Sequence, residues 1–194
     1  MTVNNNIYAF GEKILYSINP EFPPLLFDEM TKQIKELSYN RSTVGDYYTS
    51  DLRTSTQNWL CWDHWIAGIM HNMFISANND YFHYDLDHFD SGIQATRYEV
   101  GQEYGWHIDA GDSRDKLTER NRLPRKLSMS LVLDSEFEGG DLEIFHPSEH
   151  QIKTFATPPG TVLIFPSWVS HRVTPVTSGT RFSLVAWMDG PEFK

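Results

Sequence analysis

The stretch RYEVGQEYGWHID, residues 97–109, contains a histidine and a carboxylate two positions apart, His107 and Asp109. On a β-strand the side chains of residues i and i+2 point to the same face, so both groups can reach one metal ion. Ile108 is then expected to face the other way, into packing. His171 follows later in the chain and could complete a face of two histidines and one carboxylate. Such a face leaves coordination positions open, which is typical of a mononuclear iron(II) centre.

The His-x-Asp pattern does not select a metal site by itself, because the chain contains it three times. The other two triples begin at His83 and His88, in an acidic segment that could hold a second metal ion. Such a segment is more typical of a solvated strand edge and turn. Spacing alone therefore favours His107 only modestly. His146 and His150 lie on either side of a proline turn, and we expect both at the surface.

Arg181 lies ten residues after His171, and Ser183 shares its face of a predicted strand. An arginine can bind a carboxylate through two parallel hydrogen bonds. A lone arginine is more often part of a surface ion pair. Its place after His171 favours a role in binding an anionic cosubstrate.

The pattern of apolar residues changes along the chain. Residues 22–37 and 62–77 have the three- and four-residue spacing of amphipathic helices. From about residue 81, short β-rich runs alternate with turn residues. The clearest predicted strands are 92–100, 126–133, 141–145, 161–165, 170–176 and 181–188. Together they predict a mainly β fold, an antiparallel sandwich or jelly roll with an N-terminal helical layer.

The bulk composition restricts the class of protein. With 194 residues the chain is expected to form a single domain, 1–194. A formal net charge of −10 argues against nucleic-acid and anionic-membrane partners, which need clustered Lys and Arg. The N-terminus has no signal-peptide pattern, and no apolar run approaches the roughly 18 residues of a membrane span. Cys61 is the single cysteine, and we expect it to be buried in a cytoplasmic protein. The oligomeric state is not indicated.

A charged insertion at 110–125 directly follows Asp109. It contains five of the 16 Lys and Arg residues, namely Arg114, Lys116, Arg120, Arg122 and Arg125. This insertion is either a solvated loop or a lid that contacts an acidic or polar substrate.

Beyond spacing, the run at 97–109 resembles the metal-binding strand of prolyl-4-hydroxylase-like iron(II)/2-oxoglutarate-dependent dioxygenases. Residues 139–145, 159–166, 171–176 and 179–183 continue the family pattern in order. The resemblance covers about residues 80–190 and implies a double-stranded β-helix, the cupin-like jelly roll, as the core at 81–190. Residues 1–80 are then a helical support region.

The resemblance also implies roles for individual residues. Three would be the catalytic iron ligands: His107, Asp109 and His171. Three would bind the 2-oxoglutarate cosubstrate, namely Arg181, Tyr98 and Ser183. Arg181 would hold the distal carboxylate of 2-oxoglutarate, and Tyr98 could instead be a core aromatic. Some family members place a further tyrosine within the segment corresponding to 127–133; here Ser130 or a water could substitute.

The implied activity is hydroxylation of a C–H bond with O2, release of succinate and CO2, and ascorbate as reductant. We expect the substrate to be a prolyl or other residue of a protein or peptide. Hydroxylation of a small molecule or free amino acid is the alternative, and a non-catalytic jelly-roll binding module is a third. A nucleic-acid demethylase is disfavoured, because Trp187 stands where that branch usually carries a second arginine.

Overall fold

Antiparallel sheets and a helical layer make up the structure, a computed structural model that describes residues 4–6, 14–42, 52–89, 92–110, 123–155 and 157–192. Of the described residues, 42% lie in strands and 19% in helices. The prediction of a mainly β jelly roll with an N-terminal helical layer is confirmed.

The described residues form two α-helices, one π-helical turn and fourteen strands. The helices are α1 (Pro24–Lys35) and α2 (Trp65–Ala77), and the π-helical turn (Asn78–Phe82) continues α2. The strands are β1 (Asn4–Asn6), β2 (Tyr16–Asn19), β3 (Asn40–Arg41), β4 (Thr56–Leu60), β5 (Ile93–Tyr98), β6 (Tyr104–His107), β7 (Arg125–Val132), β8 (Phe137–Gly139), β9 (Leu142–His146), β10 (Gln151–Phe155), β11 (Val162–Pro166), β12 (His171–Val173), β13 (Val176–Gly179) and β14 (Arg181–Asp189).

Both predicted helices are confirmed, each a few residues shorter than its apolar pattern. Pro24 stands at the first position of α1, where a missing N–H costs nothing. The α2 helix begins after His64, whose Nδ1 accepts a hydrogen bond from the Ile66 amide at 3.3 Å. Apolar residues at four-residue spacing, such as Met30 and Ile34 on α1, are fully buried against the sheet.

An eight-stranded major sheet has the order β1-β2-β11-β7-β14-β5-β4-β3, and a four-stranded minor sheet has the order β10-β9-β12-β6. A third sheet pairs β13 with β8. The region before residue 81 supplies strands as well as helices, because β2 pairs with β11 and β4 pairs with β5. We propose on this ground that residues 1–194 form one domain.

Residues of the major sheet alternate between two apolar layers. Along β7, Leu127, Met129 and Leu131 belong to the core formed with the helices. The intervening Ser128 and Ser130 lie on the opposite face, which looks toward the minor sheet. A second apolar cluster fills the space between the sheets and includes Leu163 and Phe165 of β11 and Ile144 of β9. The polar side chains of that inner face therefore lie in a water-poor interior.

Three sequence expectations concern the surface of the fold. Cys61 is exposed just after β4, so the expectation of buried packing is wrong. Four basic residues of the charged insertion, Arg114, Lys116, Arg120 and Arg122, lie outside the described residues, and the lid stays a prediction. Neither helix in the described part of the chain has the length and apolar character needed to cross a membrane.

Candidate metal centre

Two histidines and one carboxylate come together between β6 and β12. The two strands are antiparallel neighbours, and His107 lies directly opposite His171. Asp109 follows β6, and its carboxylate oxygens lie 3.6 Å from His107 Nε2 and 3.5 Å from His171 Nε2. The three donor atoms lie within 4.8 Å of one another, and no other such group of three occurs among the described residues.

Backbone carbonyls orient both imidazole rings. His107 Nδ1 lies 2.8 Å from the Gly105 carbonyl oxygen, and His171 Nδ1 lies 2.9 Å from the Val169 carbonyl oxygen. A carbonyl oxygen can only accept, so each Nδ1 carries the proton and donates it. This fixes the tautomer that leaves the Nε2 lone pairs facing Asp109. Such a carbonyl contact is the usual way in which proteins orient a histidine that binds a metal.

Asp109 is positioned by the neighbouring loop and by β7 rather than by a strand of its own. Because β6 ends at His107, the Asp109 amide donates to the Ser167 carbonyl at 2.9 Å. Ser128 Oγ donates to Asp109 Oδ2 at 2.8 Å and lies 2.9 Å from Ser167 Oγ. Ile108, which we expected to be packed, is instead 54% exposed. Asp109 therefore lies in a bend after β6, and the two serines hold its carboxylate in place.

The electrostatic setting favours a neutral histidine beside an ionised carboxylate. Burial, followed by the neighbouring His171 ring, lowers the pKa of His107 to about 4. Burial opposes ionisation of Asp109, but His171 and His107, the Trp187 indole and the Ser128 hydroxyl outweigh it, and the pKa of Asp109 lies below its ordinary value. A neutral imidazole and a carboxylate are the forms that bind a divalent metal.

An aromatic ring lies against the cluster and a second arginine lies against that ring, and the sequence did not point to either. The Tyr104 ring is stacked on the His107 ring. The Arg53 guanidinium carbon lies 4.7 Å from the centroid of the Tyr104 ring. Burial raises the pKa of Tyr104 to about 12, so its hydroxyl stays protonated. Tyr104 is part of the 97–109 run and could have been singled out there. Arg53 carries no signal, because only tertiary contacts bring it to this place.

Arg181 and its predicted neighbours Tyr98 and Ser183 form a buried polar group on the major sheet. Arg181 on β14 is 1% exposed and lies opposite Tyr98 of β5. Its Nη1 donates to Ser183 Oγ at 2.7 Å, and its Cζ lies 5.5 Å from the Tyr98 ring centroid. Nε and Nη2 have no hydrogen-bond partner within the described chain. Two unsatisfied donors on one buried guanidinium are a ready-made receptor for a carboxylate.

A glycine makes room for this arginine. Gly140 has a φ of +64°, and a Cβ at its position would lie 2.7 Å from Arg181 Cδ. The left-handed backbone and the close approach both require glycine here. Gly140 therefore makes room for the Arg181 side chain as well as taking part in the chain reversal between β8 and β9.

The remaining histidines are placed elsewhere. His83 takes a left-handed conformation at the end of the π-helical turn, and His88 lies 3.5 Å from Asp189. Asp90, the carboxylate of the triple that begins at His88, lies outside the described residues. His150 is exposed as expected, but His146 is only 2% exposed, so its surface assignment is wrong. Its Nδ1 accepts a hydrogen bond from an amide in the following turn, which gives it a structural role.

Together the donor atoms suit a divalent transition metal with a bound carboxylate. Two imidazole nitrogens and one carboxylate on one side of an ion form the facial arrangement preferred by non-haem iron(II). The orphaned donors of Arg181 suit the far end of an anionic molecule.

The match with known families lies in the β-rich part of the chain. A family model described as the 2OG-Fe(II) oxygenase superfamily matches residues 93–189. A PKHD-type hydroxylase of Synechococcus sp. (strain CC9605) is 40% identical over 99 residues. That alignment covers 50% of this chain but 41% of the relative, so the chain matches about two fifths of the relative's length.

Solved structures share the fold over almost the whole chain. A prolyl-4-hydroxylase from Pseudomonas putida has a TM-score of 0.70 at 18% identity, with 92% of this chain and 93% of that chain covered. A Trichoplax adhaerens prolyl hydroxylase in complex with a hypoxia inducible factor oxygen degradation domain peptide fragment has a TM-score of 0.74 at 16% identity, with 93% and 85% covered. At these identities the likeness establishes the fold alone.

Proposed function

Because this chain belongs to the 2OG-Fe(II) oxygenase superfamily, we propose that it is a dioxygenase that hydroxylates a C–H bond of a prolyl or other residue in a protein or peptide. The proposed cofactors are iron(II), 2-oxoglutarate and O2, with ascorbate as reductant. The observation that carries the proposal is the pairing of the His107, Asp109 and His171 cluster with a buried arginine whose Nε and Nη2 lack partners in the described chain.

Each residue of the centre has a defined task in this proposal. His107, Asp109 and His171 hold the metal through the two Nε2 atoms and the carboxylate. Arg181 binds the distal carboxylate of 2-oxoglutarate, with Ser183 fixing the guanidinium and Tyr98 lining the same pocket. Iron bound here with the cosubstrate and O2 would supply the oxidising chemistry, with release of succinate and CO2.

The apolar interior supports the same activity by excluding water. Leu163 and Phe165 of β11 and Ile144 of β9 belong to the core between the sheets, and Phe165 lies 4.7 Å from His171, centroid to centroid. A dry site strengthens the ion pair to Arg181 and protects a reactive intermediate from side reactions. The protein supplies binding, orientation and this environment, while metal and cosubstrate supply the chemistry.

A protein or peptide substrate is supported by what similar proteins are named for. The Trichoplax adhaerens neighbour is a prolyl hydroxylase in complex with a peptide fragment, and the sequence relatives are called PKHD-type hydroxylases. The exposed, apolar Ile108 and Trp168 beside the centre offer surface on which a peptide could pack.

The activity is tested in two steps. Anaerobic addition of iron(II) and 2-oxoglutarate should give the visible charge-transfer band of the metal-bound cosubstrate. Admission of O2 with ascorbate and a panel of proline-containing peptides should then give succinate and one added oxygen on a peptide, read by mass spectrometry.

The His107→Ala variant is the matched background, because it removes one ligand from the cluster. Succinate formation that is equal in the wild type and this variant with every peptide would count against a peptidyl hydroxylase. Free proline assayed in parallel decides whether a small molecule is the substrate instead. Failure of the visible band to form would contradict the whole assignment.

A further inference from the structure

Arg53 is a second buried arginine near the candidate metal centre. Arg53 is 5% exposed, and its backbone forms an isolated antiparallel β-bridge with Tyr104. Its Nε donates to Ser55 Oγ at 2.9 Å, and its Nη1 lies 3.4 Å from Gln94 Oε1. No carboxylate of the described residues pairs with Arg53. A buried cation is costly unless an anion pairs with it, and none of the described carboxylates does, so a bound anion would account for this arrangement.

The position of Arg53 relates it to the reacting centre. Its guanidinium carbon lies 4.7 Å from the Tyr104 ring centroid, and that ring is 3.5 Å from the ring of His107. Arg125 approaches in a similar way, with its guanidinium carbon 3.9 Å from the centroid of Trp187. Arg53 is thus stacked on the ring that packs against His107, and Arg125 on the indole that lowers the pKa of Asp109.

Arg53 and Arg181 lie toward opposite ends of the same sheet face. On β5, Tyr98 lies opposite Arg181, whereas the Arg53 partner Gln94 is four residues earlier on the same face. Four residues of extended strand span about 13 Å. A carboxylate bound by Arg181 therefore does not also pair with Arg53.

We propose that Arg53 binds a carboxylate of the primary substrate, close to the carbon that is oxidised. This inference rests on the proposed function, which assigns Arg181 to the cosubstrate. The chain carries a net charge of −10, so a carboxylate is attracted only where cations such as Arg53 are concentrated. The carboxylate could belong to an acidic side chain or C-terminus of a peptide, or to a free amino acid, and the experiment separates these sources.

The test measures binding by calorimetry to protein loaded anaerobically with iron(II) and 2-oxoglutarate, so that no turnover occurs. The free amino acid arm compares L-proline with L-prolinamide. The peptide arm uses peptides with blocked termini, in which Asp is moved through each position around one proline. Each peptide is compared with the matching Asn peptide and with the same peptide carrying a free C-terminal carboxylate. We expect the carboxylate member to bind about tenfold more tightly, or better, in one arm.

Three variants assign this preference to Arg53. Arg53→Gln should bring the ratio of the two affinities close to one, and Arg53→Lys should keep part of it, because lysine retains the charge without the two-pronged geometry. Arg97→Gln is the matched control, since Arg97 lies on the other face of β5 and pairs with Glu99. The control should keep the wild-type ratio. If Arg53→Gln does not fold, as judged by near-ultraviolet circular dichroism, a reduced ratio in Arg53→Lys carries the test.

Several results would overturn the proposal. They are equal binding of carboxylate and amide probes in both arms, no binding of any carboxylate probe, or a preference that Arg53→Gln leaves intact. Weaker binding of 2-oxoglutarate itself in Arg53→Gln would show that Arg53 serves the cosubstrate, which also overturns it. Failure of the proposed function is distinguishable, because it appears as a missing visible band before any probe is added, or as missing succinate while the probe preference is intact.

Discussion

The Tyr104 ring lies flat against the His107 imidazole, with ring centroids 3.5 Å apart and planes 12° from parallel. His107 is thereby held from two directions, by the stacked ring and by the carbonyl contact at Nδ1. Contacts of this kind restrict the rotation of a metal ligand before the metal arrives, and their loss weakens metal binding.

The stack predicts that Tyr104→Ala weakens metal binding about tenfold or more. Tyr104→Phe should bind metal nearly as the wild type does, because it keeps the ring and loses only a hydroxyl that stays protonated. Anaerobic calorimetric titration with iron(II) measures both. Equal affinity in the alanine and phenylalanine variants would show that the stack does not position His107.

The hydrogen bond from Ser128 to Asp109 predicts a second effect on metal affinity. Removing the 2.8 Å hydrogen bond in Ser128→Ala should weaken metal binding about tenfold, because the carboxylate loses the group that fixes its orientation. Ser130→Ala is the matched control on the same face of β7, and should leave metal affinity unchanged. A similar loss in both serine variants would contradict a specific role of Ser128.

Arg181 predicts an effect on cosubstrate binding that is separate from the metal. Arg181→Gln should weaken 2-oxoglutarate binding about tenfold or more, whereas iron(II) affinity stays as in the wild type. Ser183→Ala should show a smaller loss, because it removes only the hydroxyl that fixes Nη1. Titration of the visible band with 2-oxoglutarate measures this. Unchanged cosubstrate affinity in Arg181→Gln would remove Arg181 from the site.

The close approach of Gly140 to Arg181 predicts that a side chain at position 140 lowers the stability of the fold. In Gly140→Ala the new Cβ would meet Arg181 Cδ at 2.7 Å on a backbone with φ +64°, so we expect a loss of about 2 kcal/mol in the free energy of unfolding. Gly68→Ala on α2 meets nothing within 4 Å and should instead stabilise by up to about 1 kcal/mol. Urea unfolding compares the two. An equally tolerated Gly140→Ala would mean that Arg181 has another position available.

The lowered pKa of His107 predicts a pH dependence of stability in the metal-free protein. The ordinary pKa is 6.5 and the folded value is about 4, so below pH 6.5 the unfolded state takes up the proton first. Stability contributed by this residue therefore falls between about pH 6.5 and 4, by about 3 kcal/mol in total. His107→Gln should lose less stability over this window in urea unfolding at pH 7, 5.5 and 4.5. Parallel profiles for both proteins would contradict the prediction.

The sequence pattern could predict most strands because their alternation reports burial locally. The predicted strand 181–188 corresponds to β14, and the predicted strand 126–133 to β7. Strands such as β4 were missed because their residues are mostly half-buried and show no alternation of buried and exposed positions. The burial of His146 was also missed, since a histidine beside a proline in a turn resembles a surface residue in the sequence, and its burial depends on tertiary packing.

By itself the sequence determined the jelly-roll class and the candidate residues His107, Asp109, His171 and Arg181, because these depend on local periodicity and on motifs with fixed spacing. Only the tertiary structure decided what surrounds them. It brought Tyr104 against His107 and Arg53 against Tyr104, supplied Ser128 and Ser167 to Asp109, and left Arg181 Nε and Nη2 without partners among the described residues. The physical reason is that these contacts join residues far apart in the chain, where the register of paired strands, and not sequence distance, determines what lies within hydrogen-bonding reach.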